Sequence, residues 1–91
     1  MFNGSVTESV DQISWEKALR LARNNEAIAY IVYNTVKGKR EGKSSKVAFK
    51  DACENENLYD SDPRSVQARQ TASRILRGLG VAATNWRDLK V

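Results

Sequence analysis

Apolar and polar positions alternate along this chain with the period of a helix more often than with that of a strand. Trp15, Ala18, Leu19 and Ala22 recur at i, i+3, i+4 and i+7, the spacing of one buried helical stripe. Ser9 with Gln12 offers one capping-box start for that helix, and Ser14, directly before Trp15, offers another. Arg23, Asn24 and Asn25 break the stripe, and Asn25 is a good N-cap for a second helix, with Glu26 beside the positive end of its dipole. Residues 27 to 36, AIAYIVYNTV, are β-branched enough for a strand, yet Ile28, Ile31, Val32, Thr35 and Val36 form one stripe and the cap points to a helix. Gly38 and Gly42 predict a loop from Lys37 to Ser45. Lys46 to Phe49 reads as a short strand or as the first turn of a helix that continues from about Lys50 to Asn55. Asn55, Asn57, Asp60, Ser61 and Asp62 then crowd a turn-rich connection.

The clearest helix start is Asp62 as N-cap with Pro63 at the first helical position, where a missing N–H costs nothing. Gly78 and Gly80 mark its end. Within it Ala68, Ala72, Ile75, Leu76 and Leu79 gather into one apolar stripe. Gln67, Gln70 and Arg74 form a row on the opposite side, with Arg77 beside them. Val81 to Thr84 and Leu89 to Val91 could pair as a short hairpin around 85 to 88. The expected architecture is a mainly α domain of three or four helices with a short C-terminal β-hairpin. It spans residues 9–91, behind a loose tail, 1–8, that lacks apolar periodicity.

Composition narrows the function. Ninety-one residues with 41% hydrophobic and 29% charged side chains make one small core, and no apolar run approaches the roughly 20 residues of a membrane span. Residues 1 to 14 lack the basic and apolar regions of a secretory signal, and the lone Cys53 suits a reducing compartment, so a cytoplasmic protein is expected. With no His and one Cys, neither the usual zinc ligand sets nor a Ser-His or Cys-His nucleophile can be assembled, so the expectation is a protein without catalytic activity or cofactor. The loop GKREGKSS has three residues between its glycines where a phosphate-binding loop needs four. The acids Asp51, Glu54, Glu56, Asp60 and Asp62 do not follow a calcium-loop spacing and read as solvated or capping residues. Trp15, Tyr30, Tyr33 and Phe49 fall on apolar faces and read as core, whereas Tyr59 and Trp86 sit in turn-like settings suited to stacking on a base or a partner.

The net charge of +4 is unevenly placed. Lys37, Lys39, Arg40, Lys43 and Lys46 cluster with only Glu41 against them, and no acid stands between Asp62 and Asp88. That distribution favours a polyanionic partner. Arg and Gln can each bond two base-edge atoms, Arg on guanine and Gln on adenine, so the row Gln67, Gln70, Arg74 is a candidate reading surface for double-stranded DNA.

The order of apolar helix, basic loop, KVAFKDA, turn-rich connection and SVQARQTASRILRGLGV resembles the winged-helix branch of the helix-turn-helix proteins, over the chain from Asn25 onward. The resemblance implies a DNA-binding module, a small transcriptional regulator or an accessory factor of replication or recombination, acting as a monomer or homodimer. It would place Gln67, Gln70 and Arg74 in the major groove. Arg64, Arg69 and Arg77 would hold backbone, Lys39, Arg40, Lys43 and Lys46 would contact phosphates from the loop, and Arg87 would lie at the tip of the wing. Two features depart from that pattern: the connection from 54 to 62 exceeds the roughly 3 to 4 residues of a tight turn, and its acids would repel phosphates. The alternative is a protein-binding adaptor or inhibitor, of the kind mobile elements encode, that presents this acidic 51–62 segment to a basic partner.

Overall fold

A computed structural model describes residues 13–81 as four helices, α1 (Trp15–Leu21), α2 (Glu26–Arg40), α3 (Ser45–Asn55) and α4 (Pro63–Gly78). The protein is mainly helical, and among the described residues there is no strand. Each helix starts on a side-chain oxygen that accepts one of the otherwise unpaired backbone N–H groups. Lys17 N donates to Ser14 Oγ (3.1 Å), Ile28 N to Asn25 Oδ1 (3.1 Å), Val47 N to Ser44 Oγ (3.2 Å) and Arg64 N to Asp62 Oδ1 (3.3 Å).

The four ends share one device as well. Past each C-cap a residue turns to positive φ: Arg23 (54°), Gly42 (99°), Asn57 (58°) and Gly80 (85°). The N–H after it then reaches back across the last turn. Asn24 N donates to Leu19 O, Lys43 N to Gly38 O, Leu58 N to Cys53 O and Val81 N to Leu76 O, all within 2.9–3.0 Å. These are Schellman motifs, which satisfy the last carbonyls of a helix and stop it sharply.

The helix α2 is the element against which each of the others packs. Its Ala29, Ile31, Val32 and Val36 meet Ala18, Phe49, Ala52, Cys53, Ala72 and Leu76 in one core. Buried Thr35 is satisfied by its own helix, its hydroxyl donating to Ile31 O at 2.6 Å. One local expectation gives way to this packing. Residues 37–40 are not loop: α2 runs through Gly38 to Arg40 because Gly38 is where α3 comes closest, and a Cβ there would stand 2.9 Å from Ala48 Cβ. The helix cost of glycine, about 1 kcal/mol, is offset by that approach. Of the two readings of 46–49 the helical one holds: it is the first part of α3, since Ser44 caps it and Ala48 and Phe49 turn inward together.

A second correction concerns α4. Its buried face is Ser65, Arg69, Ala72, Ser73 and Leu76, which is rotated by about 60° from the stripe its apolar residues predict, at about 100° per residue. Small Ser65 and Ser73 join Ala72 and Leu76 on the inner face, and Arg69 goes inward to donate from Nη1 to Leu58 O at 2.7 Å. Ala68, Ile75 and Leu79 consequently remain only half-buried. Phe49 is core as expected, but Tyr30 is 43% exposed and stacks at the surface on Trp15, with ring centroids 4.5 Å apart. The expected hairpin, with Trp86 and Arg87, lies outside the described residues except for Val81, which is buried as the hydrophobic closure of the α4 Schellman motif.

Candidate nucleic-acid interface

The outer face of α4 begins with the Asp62 cap and Pro63 and presents Arg64, Gln67, Arg74 and Arg77 to solvent. Gln70, in the same row, is half-buried. No acidic residue stands between 63 and 78, and among the described residues none of Arg64, Arg74 and Arg77 forms an ion pair. Arg69 does not belong to this face. It is 3% exposed, and its guanidinium closes the connection between α3 and α4 from within, so it cannot meet a phosphate. Its Nε has no partner.

Along one edge of this face α4 borders the turn between α1 and α2. Two depressions of ≈ 480 and ≈ 410 Å³ lie there and share Thr71. The first runs between Arg64, Gln67 and Ala68 on α4 and Asn25, Ala27 and Ile28 on α2, and the second between Arg74 and Ile75 and residues 21–23. Arg23 therefore stands across from Arg74, held there by the left-handed backbone that ends α1. Sequence reasoning missed Arg23 because it registered Arg23 and Asn24 only as a break in periodicity before the Asn25 cap. An asparagine pair after an apolar helix is the signal that marks such a stop.

The residues of the basic loop are elsewhere. Lys37, Lys39 and Arg40 form the last turn of α2, where the negative end of the helix dipole favours cations. Lys39 Nζ donates to Ser45 Oγ (3.2 Å) and Lys43 pairs with Asp51 (3.2 Å), while Lys46 and Arg40 are exposed. Lys37 and Lys43 line a depression between α2 and α3 together with Glu41 and Asp51, and no α4 residue contributes to it. This end of α2 is roughly 24 Å from its N-cap Asn25, at about 1.5 Å per residue. Among the described residues, and Arg69 apart, the sequence-predicted contact set thus falls into two groups near opposite ends of α2, and Arg87 lies outside the described residues.

The acids of 51–62 lie at the surface, and four of them engage the protein's own polar groups. Asp51 pairs with Lys43, and Glu54 approaches Lys50 at 3.9 Å. Asp60 Oδ1 accepts from Asp62 N at 3.1 Å, and a hydrogen bond from Ser65, together with that backbone bond, holds the Asp60 carboxyl below its ordinary value. Asp62 caps α4. Glu56 is raised by partial burial, and the buried Cys53 thiol is pushed up to about 12 by desolvation that outweighs the pull of Arg69, which makes it a poor nucleophile. Among the described residues no group of three acids or thiols gathers as metal ligands, and no helix is long and apolar enough to cross a membrane. In comparisons with protein families, characterised proteins and solved structures, nothing matches this chain.

Proposed function

We propose that the chain binds double-stranded DNA through the outer face of α4, as a non-enzymatic regulator or an accessory factor of replication or recombination. The observation that carries this is the row of exposed Arg64, Gln67, Arg74 and Arg77 on one stiff helix whose residues 63–78 include no acid. Gln67 and Arg74 have the bidentate chemistry for base edges, while Arg64, Arg77 and Arg23 on the flanks suit phosphates. The internal use of Asp51, Glu54, Asp60 and Asp62 supports the same reading, because carboxylates engaged with Lys43, Lys50, Ser65 and backbone N–H groups repel phosphate less than free ones. It also lowers the availability of that segment as a docking surface for a basic partner. Lys39, Arg40, Lys43 and Lys46 are then a secondary grip on backbone, carried mainly by Arg40 and Lys46. In the winged-helix form of the proposal, residues 82–91 add a hairpin with Arg87 at its tip.

Fluorescence anisotropy on a mixed-sequence duplex as a function of salt tests the proposal. Three to four phosphate contacts give a slope of log K against log salt of about −3, at about −0.9 per contact. An isotherm that stays flat at low salt overturns it.

A further inference from the structure

The rotation of α4 has a consequence at its edge. Ala68 and Ile75, which the apolar pattern assigns to the core, instead stand half-buried along the groove that faces Leu21, Ala22 and Ile28. Leu21 is 38% exposed at one end of it. The two depressions meet at Thr71 and together form a groove floored by Leu21, Ala22, Ile28, Leu58, Ala68 and Ile75, with Arg64, Arg74 and Arg23 on its borders and no acid among the described residues that line it. Duplex DNA makes poor use of such a floor, since phosphates gain nothing from carbon surface. An anionic lipid surface is too flat to enter a recess. An amphipathic helix laid in the groove would bury its apolar stripe on the floor and place the residues beside that stripe against the three arginines.

We infer that this groove, between α4 and the α1–α2 turn, is a docking site for an acidic amphipathic helix of a partner protein, with aliphatic residues at i, i+3/i+4 and i+7 and carboxylates flanking them. The arginines select its charge and the floor selects its stripe. Arg64 and Arg74 border both this groove and the outer face of α4, so an occupied groove neutralises two cations of the proposed DNA surface. A partner of this kind therefore releases the chain from DNA. The docking itself stands independently of DNA binding.

The test uses the full chain, ¹⁵N-labelled, titrated without DNA with a synthetic peptide of about four helical turns carrying Leu at i, i+3/i+4 and i+7 and Glu at the positions between. The expected result is saturable shifts confined to amides of 21–28, 64–75 and the neighbourhood of Leu58, which lines the same depression, with a Kd of roughly 10–100 μM. A peptide with Lys in place of Glu, and one with Ser in place of Leu, should each bind at least about tenfold more weakly, because each lacks one of the two selecting features. Arg64→Glu and Thr71→Glu should weaken the acidic peptide about tenfold or more. Lys46→Glu, the same change of charge near the far end of α2, should leave it within about twofold. Circular dichroism of each variant separates lost docking from lost fold.

Equal binding of all three peptides overturns the proposal, as does an Arg64→Glu effect matched by Lys46→Glu. So does a groove already filled in the free chain, either by a second copy, seen as a dimer in sedimentation, or by residues 1–12 or 82–91, seen as nuclear Overhauser contacts. Failure of peptide docking leaves the DNA titration unaffected, and a flat DNA isotherm leaves the peptide titration interpretable.

Discussion

Two regions of this molecule carry most of its positive charge, and they are built in opposite ways. In the 37–50 region each engaged lysine finds a partner made available by helix geometry: Lys43 meets Asp51 where α2 and α3 converge, Lys50 approaches Glu54 one turn on, and Lys39 is bonded to Ser45. On α4 the arginines at 64, 74 and 77 meet no carboxylate among the described residues, and Arg69, which does have a partner there in Leu58 O, is inside. A count of basic residues ranks the first region higher. Among the described residues each region keeps three exposed cations without a carboxylate partner, Lys37, Arg40 and Lys46 in the first and Arg64, Arg74 and Arg77 in the second, but only the second carries them on one helix that has no acid of its own.

The largest effect that would sharpen this contrast is structural. Gly38→Val places side-chain atoms where Ala48 already stands and should cost about 2–3 kcal/mol in urea unfolding, dismantling the α2–α3 junction that pairs Lys43 with Asp51. Unchanged stability would mean that the close approach at Gly38 is not what ties the first region together. Next, Arg69→Ala leaves Leu58 O without its donor and should lower stability by about 1–3 kcal/mol while duplex affinity per folded molecule stays within about twofold. Loss of affinity without loss of stability would return Arg69 to the binding face.

Arg74→Ala should do the reverse, weakening duplex binding about tenfold and relaxing sequence preference, with stability changed by less than about 0.5 kcal/mol. Lys43→Ala, which removes a cation already paired, should weaken binding by less than about threefold, and anisotropy of the two variants side by side decides which region leads. The smallest effect belongs to the 56–62 connection. The Asp60 carboxyl is held below its ordinary 3.8 by Ser65 and Asp62 N, so its contribution is present above about pH 4 and is lost as pH falls through its lowered folded value. Thermal melts of the protein and of Asp60→Asn should therefore differ by a constant margin at neutral pH, and the margin should close only at acid pH.

Much of the fold is legible because capping is local chemistry. Ser14, Asn25 and Asp62 with Pro63 each name their helix start within three residues, and the stop at Gly80 follows from glycine's freedom at positive φ. Gly38 misleads for the same reason that Gly42 informs. Both are glycines after an apolar run, but one sits under Ala48 inside α2 and the other turns the chain at φ 99°, and nothing local distinguishes the two. The candidate face was legible at Arg64, Gln67, Arg74 and Arg77 because an outer row survives a modest rotation of its helix. Arg69 was not, because it stands only 40° from Ser65 at about 100° per residue, on the side that α4 turns inward.

For this protein the sequence by itself determined where α2 and α4 begin, where α1, α3 and α4 end and which side of α4 carries Arg64, Arg74 and Arg77, since each depends on hydrogen bonds and side-chain directions within a few residues. Tertiary structure alone decided the rotation of α4 about its axis, the inward turn of Arg69, the separation of the two basic regions near opposite ends of α2 and the groove beside the α1–α2 turn. Those depend on how closely Ser65, Ala72 and Ser73 let helices approach and on a carbonyl at Leu58 that needs a donor, and such contacts join residues that the chain itself keeps apart.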